Sequence, residues 1–161
     1  MNSSVKKSLI VSFCLSLALT LASTCLAQDQ EGCSPGYWKQ EQHFEFWEGA
    51  LPTDTFAGVF GRDITIRLKK KDGGGTIDNP TLLEALNAPG GGLNALARQT
   101  VAAFLNAENL EVDYEYTSGA VILMFQAAFD DGSKSVIDTQ KDDFETRNEL
   151  GCPFDSLETE E

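Results

Sequence analysis

Residues 93–106, LNALARQTVAAFLN, are the stretch that most clearly predicts the fold class of this chain. Apolar residues recur there three and four positions apart, as one face of a helix requires. That face carries Leu93, Leu96, Ala97, Val101, Phe104 and Leu105. The stretch therefore predicts an amphipathic helix packed against a core, within a mainly helical domain.

A shorter helix is predicted before this stretch, and two start signals compete for it. Asn79 can cap a helix whose first residue is Pro80. Alternatively, Thr81 and Glu84 have the spacing of a capping box. The apolar face in both cases carries Leu82, Leu83 and Leu86. The run Pro-Gly-Gly-Gly at residues 89–92 then ends the helix.

A third helix is predicted to end at Phe129. Either Thr117 or Ser118 can cap its N-terminus. Its apolar residues lie around much of its circumference rather than on one face. Because such helices are usually buried, we expect this one to lie at the centre of the core.

A last helix begins at Ser133 or Ser135 and continues to about Leu150. The side chains expected to point inward are Val136, Ile137, Phe144 and Leu150. Gly-Cys-Pro at residues 151–153 ends the helix, and residues 155–161 are predicted to be an acidic, disordered tail.

The N-terminal part of the domain is rich in aromatic residues. They are Tyr37, Trp38, Phe44, Phe46, Trp47, Phe56 and Phe60. Residues 37–47 predict a short helix, and alternation over residues 64–68 predicts a strand with Thr76 and Ile77 as the second arm of a hairpin. The predicted fold is a compact bundle of about four helices, with a short hairpin and an aromatic N-terminal wrap.

Residues 1–27 have the organisation of a secretory signal peptide. Lys6 and Lys7 precede an apolar run, and small residues allow cleavage after Ala27. The alternatives are a retained membrane anchor, for which the apolar run is short, and lipid attachment at Cys25. Cleavage predicts a secreted protein with no membrane span, and one domain at residues 28–154.

Cys33 and Cys152 are the only cysteines that remain after such cleavage. Two cysteines, one near each end of an exported domain, predict one disulfide. Closing a loop of about 120 residues contributes roughly 4–5 kcal/mol in the chain-entropy model. The bridge would join the aromatic wrap to the end of the last helix.

The formal net charge is −13, and loss of Lys6 and Lys7 with the signal takes it to −15. This charge disfavours binding to nucleic acid and to anionic membranes. It would suit a basic partner or Ca²⁺. Two oxygen-rich stretches, residues 72–78 and 130–133, are candidates for Ca²⁺ loops, but neither has the EF-hand spacing, and turn chemistry is the favoured explanation of both.

His43 is the single histidine of the chain, and no nucleophile elbow or phosphate-binding loop accompanies it. Glu41, Glu45 and Glu48 lie near it with spacings of four and three between them, so they could share a helix face. They are the candidates for a small hydrolase that uses carboxylates. One histidine and two bonded cysteines are too few for a histidine metal site, so we expect no metal and no cofactor.

The candidate binding residues are Tyr37, Trp38, His43 and Trp47. Exposed aromatic rings could stack on sugar rings and form a glycan platform. Burial of the same rings in the core is the alternative, and it is the favoured one because a domain of this size needs apolar rings to fill its interior.

Residues 32–40, GCSPGYWKQ, resemble the opening of a domain in uncharacterised secreted bacterial proteins, of the form C-S/T-P-G-Y-W-K. That family is also marked by a T-L-L-E/D-A-L helix, a glycine-rich turn and a closing G-C-P. Here these motifs correspond to residues 81–86, 90–92 and 151–153. The resemblance covers residues 32–154 and implies secretion, a helical domain and the cysteine bridge, but no particular activity.

These observations favour a secreted or cell-surface module without catalytic activity, which acts by binding or assembly. It could belong to the cell surface or the extracellular matrix, with no partner specified. The alternatives are an extracellular protein that binds Ca²⁺ or glycan and, with less support, a small secreted hydrolase using carboxylates near His43.

Overall fold

The computed structural model describes residues 30–70 and 73–156. The predicted signal peptide, Cys25 and residues 157–161 of the predicted tail lie outside the described residues. The described part is mainly helical, which confirms the predicted fold class. Within it, no helix combines the length and the apolar character needed to cross a membrane.

The helices are α1 (Pro35–Trp38), α2 (Phe56–Phe60), α3 (Leu82–Asn87), α4 (Leu93–Glu108), α5 (Ser118–Asp131) and α6 (Lys134–Asn148). The strands β1 (Thr65–Arg67) and β2 (Thr76–Asp78) form an antiparallel hairpin between α2 and α3. Two 3-10 helices span Glu41–Phe46 and Pro153–Ser156. The second one includes Asp155, the first residue of the predicted tail.

Helix α4 is the centre of the fold. Twelve of its 16 residues are buried, and α1, α3, α5 and α6 all pack against it. Alanines at positions 95, 97, 102 and 103 present small side chains to these neighbours. Small side chains allow helices to approach closely, so one helix can contact four others.

Helix α5 lies at the periphery, so the prediction that it occupies the centre of the core is wrong. It buries only Val121, Phe125 and Ala128, against α4, α6 and α2. On the opposite side, Leu123 is 67% exposed. Apolar residues around a helix show that it can be surrounded, but they do not show that the rest of the chain surrounds it.

Most of the residues predicted to cap the N-terminus of a helix do so in the structure. Thr81 and Glu84 form a complete capping box at α3, and Thr117 caps α5 by accepting a hydrogen bond from Ala120 N (3.3 Å). Asn79 is not a cap. It has a positive φ of 45°, and its side chain accepts a hydrogen bond from Ala57 N (3.0 Å), which ties the start of α2 to the hairpin.

The predicted hairpin is confirmed. Ile66 pairs with Ile77, and the pairing continues to Thr65 with Asp78 and to Arg67 with Thr76. Asn94 at the start of α4 binds both backbone groups of Arg67, at 3.2 and 3.3 Å. The hairpin is thereby fixed to the N-terminal end of the central helix.

Two predictions are wrong, one about the helix over residues 37–47 and one about side chains expected to point inward from the last helix. Residues 37–47 do not form one helix, because Gln40 is extended (φ −82°, ψ 134°) and separates α1 from the 3-10 helix. In α6, Phe144 is buried, but Val136 is 37% exposed. Leu150, also predicted to point inward, follows the end of α6 and is 48% exposed.

Candidate functional site

The predicted disulfide is confirmed. Cys33 and Cys152 are bonded, with their Cα atoms 4.4 Å apart. Beside them, Gly32 N donates to Gly151 O (3.0 Å). A Cβ at Gly32 would lie 2.0 Å from the carbonyl oxygen of Arg147, so only glycine allows the N-terminal segment to approach the end of α6 this closely.

Asn106 of α4 binds the N-terminal segment, at Cys33 and Trp38, by hydrogen bonds within the core. Its Oδ1 accepts hydrogen bonds from Cys33 N (2.9 Å) and from Trp38 Nε1 (2.9 Å). Its Nδ2 donates to Cys33 O (2.9 Å) and to Asn148 Oδ1 (3.0 Å). Asn106 is fully buried, so these four bonds satisfy an amide that would otherwise be costly inside the core.

Asn148 extends this buried network to α6. Its Nδ2 donates to the backbone oxygen and to Oε1 of Gln99, at 3.0 and 2.8 Å. Its Oδ1 also accepts a hydrogen bond from the hydroxyl of Tyr114 (2.9 Å). Burial raises the pKa of Tyr114 above its ordinary value, which keeps this hydroxyl a donor.

The four candidate binding residues lie together, and all of them are buried. Tyr37 stacks on His43 with ring centroids 3.7 Å apart, and His43 Nδ1 donates to the carbonyl of Tyr37 (2.8 Å). Trp47 Nε1 donates to the carbonyl of Trp38 (3.1 Å). Since Trp38 is 0% exposed and Trp47 8%, these indole rings contact protein atoms and present no open stacking platform.

The three glutamates predicted around His43 do not share a cleft with it. Glu41, Glu45 and Glu48 are exposed, whereas His43 is 3% exposed. A pocket of about 530 Å³ beside the disulfide does reach His43, but its carboxylates come from Glu149 and Asp155. His43 is two residues from Glu41 and two from Glu45, and side chains two residues apart do not face each other on a helix. Glu48 lies beyond the end of the 3-10 helix.

The oxygen-rich turn at residues 130–133 is occupied by internal bonds. Asp130 accepts hydrogen bonds from Arg62 Nε (2.7 Å) and Nη2 (2.6 Å), and this pairing lowers the pKa of Asp130. Asp131 accepts from the backbone and the hydroxyl of Ser133, which lowers its pKa as well. Across residues 30–70 and 73–156, no group of three or more His, Cys, Asp or Glu side chains could hold a metal ion.

A second charged cluster joins α6 to the residues that precede α5. Arg147 donates to Glu115 Oε2 (2.5 Å) and Asp143 Oδ1 (2.6 Å), and its guanidinium lies 4.6 Å from the ring centroid of Tyr116. The hydroxyl of Tyr116 donates to Asp143 Oδ2 (3.1 Å). Burial, with Asp143 nearby, raises the pKa of Tyr116 to about 12.

The outer side of α5 is an uncharged helical surface that is exposed to solvent. We call its exposed residues Gly119, Leu123 and Ala127 the α5 surface. Half-buried Ala120, Ile122 and Met124 border it. No charged residue occurs between residues 118 and 129. The α5 surface is therefore a candidate for a contact site.

No protein-family model matches the chain, and neither a curated protein nor a solved structure matches it. The resemblance to a secreted bacterial domain accordingly stays a prediction. A function for this chain therefore has to be argued from the geometry of the described residues.

Sequence reasoning missed Asn106, Asn148 and the exposure of the α5 surface. The two asparagines carry no motif, since their partners are up to 73 residues away. The α5 surface did have a signal, namely apolar residues around the whole helix. That signal predicts burial within the chain, but it is equally compatible with a contact surface.

Proposed function

We propose that this chain is an exported module without catalytic activity, which acts by binding or assembly through the α5 surface. The observation that carries the proposal is the 67% exposure of Leu123 within residues 118–129, a stretch without charged residues. The remainder of the chain is strongly acidic, with a formal net charge of −13. Exposed apolar surface on a protein often marks a contact site.

Export is supported by the signal-like residues 1–27 and by the bridge between Cys33 and Cys152. Disulfides persist in oxidising compartments and are rare in the reducing cytosol. The bridge also ties both ends of the domain together, which suits a module that must stay folded outside the cell.

The alternative functions have less support. A hydrolase would need His43 to act with Glu41, Glu45 or Glu48, but His43 is buried and the glutamates are exposed. A glycan platform would need open faces on Trp38 and Trp47, both of which are buried.

The test is the size of the protein in the exported fraction of its own cells, before any purification. We expect the parent to migrate as a complex larger than one chain. Leu123→Glu should reduce it to the size of one chain. Leu51→Glu is the matched control, because Leu51 is 62% exposed, close to the 67% of Leu123, and lies outside α5. A parent that migrates as one chain in that fraction would contradict the proposal.

A further inference from the structure

A groove of about 410 Å³ lies between the hairpin and α3. We call it the hairpin groove. Its apolar lining comes from Leu68, Leu83 and Ala88, and Asn87 adds a polar group. Its charged lining comes from Arg67, Lys69 and Glu84. The volume falls within the range of about 300–1,000 Å³ that is usual for binding sites, so the groove has room for a side chain and its neighbours.

Positive charge is in excess around the hairpin groove. Arg67 is exposed and Lys69 half-buried, and neither forms an ion pair with a carboxylate of residues 30–70 or 73–156. Glu84 Oε2 already accepts hydrogen bonds from Thr81 N (2.7 Å) and from its hydroxyl (3.0 Å). Two cations thus remain for an occupant, and they favour one that brings carboxylates.

At the opposite end of α4, a turn presents a leucine between two carboxylates. Leu110 is 93% exposed, with Glu108 before it and Glu111 after it. No cation in the described part of the chain pairs with either glutamate. Asn109 fixes the turn, since its Oδ1 accepts from Glu111 N (2.9 Å) and its Nδ2 donates to Phe46 O (2.9 Å). We call residues 108–111 the acidic turn.

The hairpin groove and the acidic turn of one chain cannot meet. Asn94, in the first turn of α4, binds both backbone groups of Arg67, whereas Glu108 is the last residue of the same helix. A helix of 16 residues is about 24 Å long. A contact between the two features therefore joins two molecules.

We propose that the acidic turn of one copy of this chain docks in the hairpin groove of a second copy. Leu110 lies against the apolar lining of the groove, and Glu108 and Glu111 face Arg67 and Lys69. Burial of the leucine and pairing of the charges then favour the same arrangement. The contact does not involve the α5 surface, so this proposal goes beyond the proposed function and does not depend on it.

Charge complementarity and shape favour a second copy as the occupant. The groove calls for an apolar side chain with carboxylates beside it, and the acidic turn offers this combination in a fixed conformation. A turn that is already ordered loses little conformational entropy on binding. Because each copy has one groove and one turn, the contact is head-to-tail and repeats from copy to copy.

The contact should be weak. A single turn in a groove is smaller than the roughly 800 Å² per partner of a standard interface. Each copy also carries a formal net charge of −13, so the molecules repel each other as a whole. We therefore expect assembly only as the concentration rises from micromolar to millimolar.

Sedimentation of the purified, oxidised chain over that range tests the proposal. The mean mass of the parent should rise beyond two chains, whereas Lys69→Glu and Leu110→Glu should stay at one chain. Lys39→Glu is the control for charge, because Lys39 is exposed and lies outside the groove and the turn. Leu123→Glu is the control for loss of an exposed leucine. Both controls should assemble like the parent.

A mixture of two variants tests the head-to-tail arrangement. Lys69→Glu keeps an intact acidic turn, and Leu110→Glu keeps an intact hairpin groove. Mixed in equal amounts, they should form a complex of two chains and nothing larger, because that contact uses the one intact turn and the one intact groove. Arg67→Glu is a second groove variant and replaces Lys69→Glu if the latter lowers the yield of folded protein.

Assembly of Lys69→Glu or Leu110→Glu like that of the parent would overturn the proposal, and so would a mixture that stays at one chain. A purified parent that remains one chain at millimolar concentration would also overturn it. If Lys69→Glu then still reduces a complex in the exported fraction, the groove binds a different acidic molecule. If only Leu123→Glu prevents assembly, the α5 surface joins the copies, and the proposed function stands without this contact.

Discussion

Asn106 and Cys33 bind each other through both backbone groups of the cysteine. Cys33 N donates to Asn106 Oδ1, and Asn106 Nδ2 donates to Cys33 O, both at 2.9 Å. The side-chain amide thus pairs with Cys33 much as a neighbouring strand would. The sulfur of the same cysteine is bonded to Cys152. The N-terminal segment is consequently held to α4 by hydrogen bonds and to the end of α6 by a covalent bond.

Asn106→Ala should strongly destabilise the fold. It removes the acceptor of two buried donors, Cys33 N and Trp38 Nε1. Each buried donor left without a partner costs about 1–3 kcal/mol, so we expect a loss of about 3–5 kcal/mol in the free energy of unfolding. Urea unfolding measures it. Asn87→Ala is the control, because Asn87 is half-buried and makes one bond, to Leu83 O (2.9 Å). Equal losses for both variants would refute the anchoring role of Asn106.

Cys152→Ser should lower the free energy of unfolding by roughly 3–5 kcal/mol, because the unfolded chain gains the freedom that the bridge removes. Thermal unfolding with and without reductant checks this prediction. The parent should become less stable in reductant, whereas the variant should not respond. If the variant unfolds at the same temperature as the oxidised parent, the bridge contributes nothing to stability.

The intact mass of the protein from its native cells tests export and the bridge together. We expect a chain that begins at Gln28 and gains one pair of hydrogen atoms on reduction, since Cys33 and Cys152 are bonded. An acyl group on Cys25 would instead show attachment to a membrane. A mass that is unchanged by reductant would show that the cysteines are free in the cell.

Alkaline pH should destabilise the protein through Tyr114 and Tyr116. Their pKa values are raised in the folded state, that of Tyr116 to about 12, whereas unfolded tyrosine ionises near about 10. The folded state therefore holds its phenol protons longer than the unfolded state does. Their contribution to stability is complete below about pH 10 and is lost as the pH rises through the folded pKa values.

The double variant Tyr114→Phe, Tyr116→Phe should lose less stability than the parent between pH 10 and pH 12, because neither phenol remains to ionise. Urea unfolding at a series of pH values provides the comparison. At neutral pH the variant should be less stable, since it lacks the hydrogen bonds to Asn148 and Asp143. Parallel pH profiles for parent and variant would argue against this assignment.

Some features of this protein were determined by the sequence alone, because they depend on neighbouring residues. The capping box of Thr81 and Glu84 and the cap at Thr117 each need only a side-chain oxygen and an amide three residues away. The hairpin around Ile66 and Ile77 follows from alternation and a glycine-rich connection. The bridge from Cys33 to Cys152 follows from counting the cysteines that would remain after the predicted cleavage.

The tertiary structure decided the rest, because it depends on contacts between distant residues. Nothing near Asn106 in the chain indicates that its partner is Cys33, 73 residues earlier. Both α4 and α5 have enough apolar residues to be central, yet α4 is surrounded and α5 is not. The apolar residues of a helix determine how much of it can be buried, but only the positions of the other helices determine which face remains for a partner.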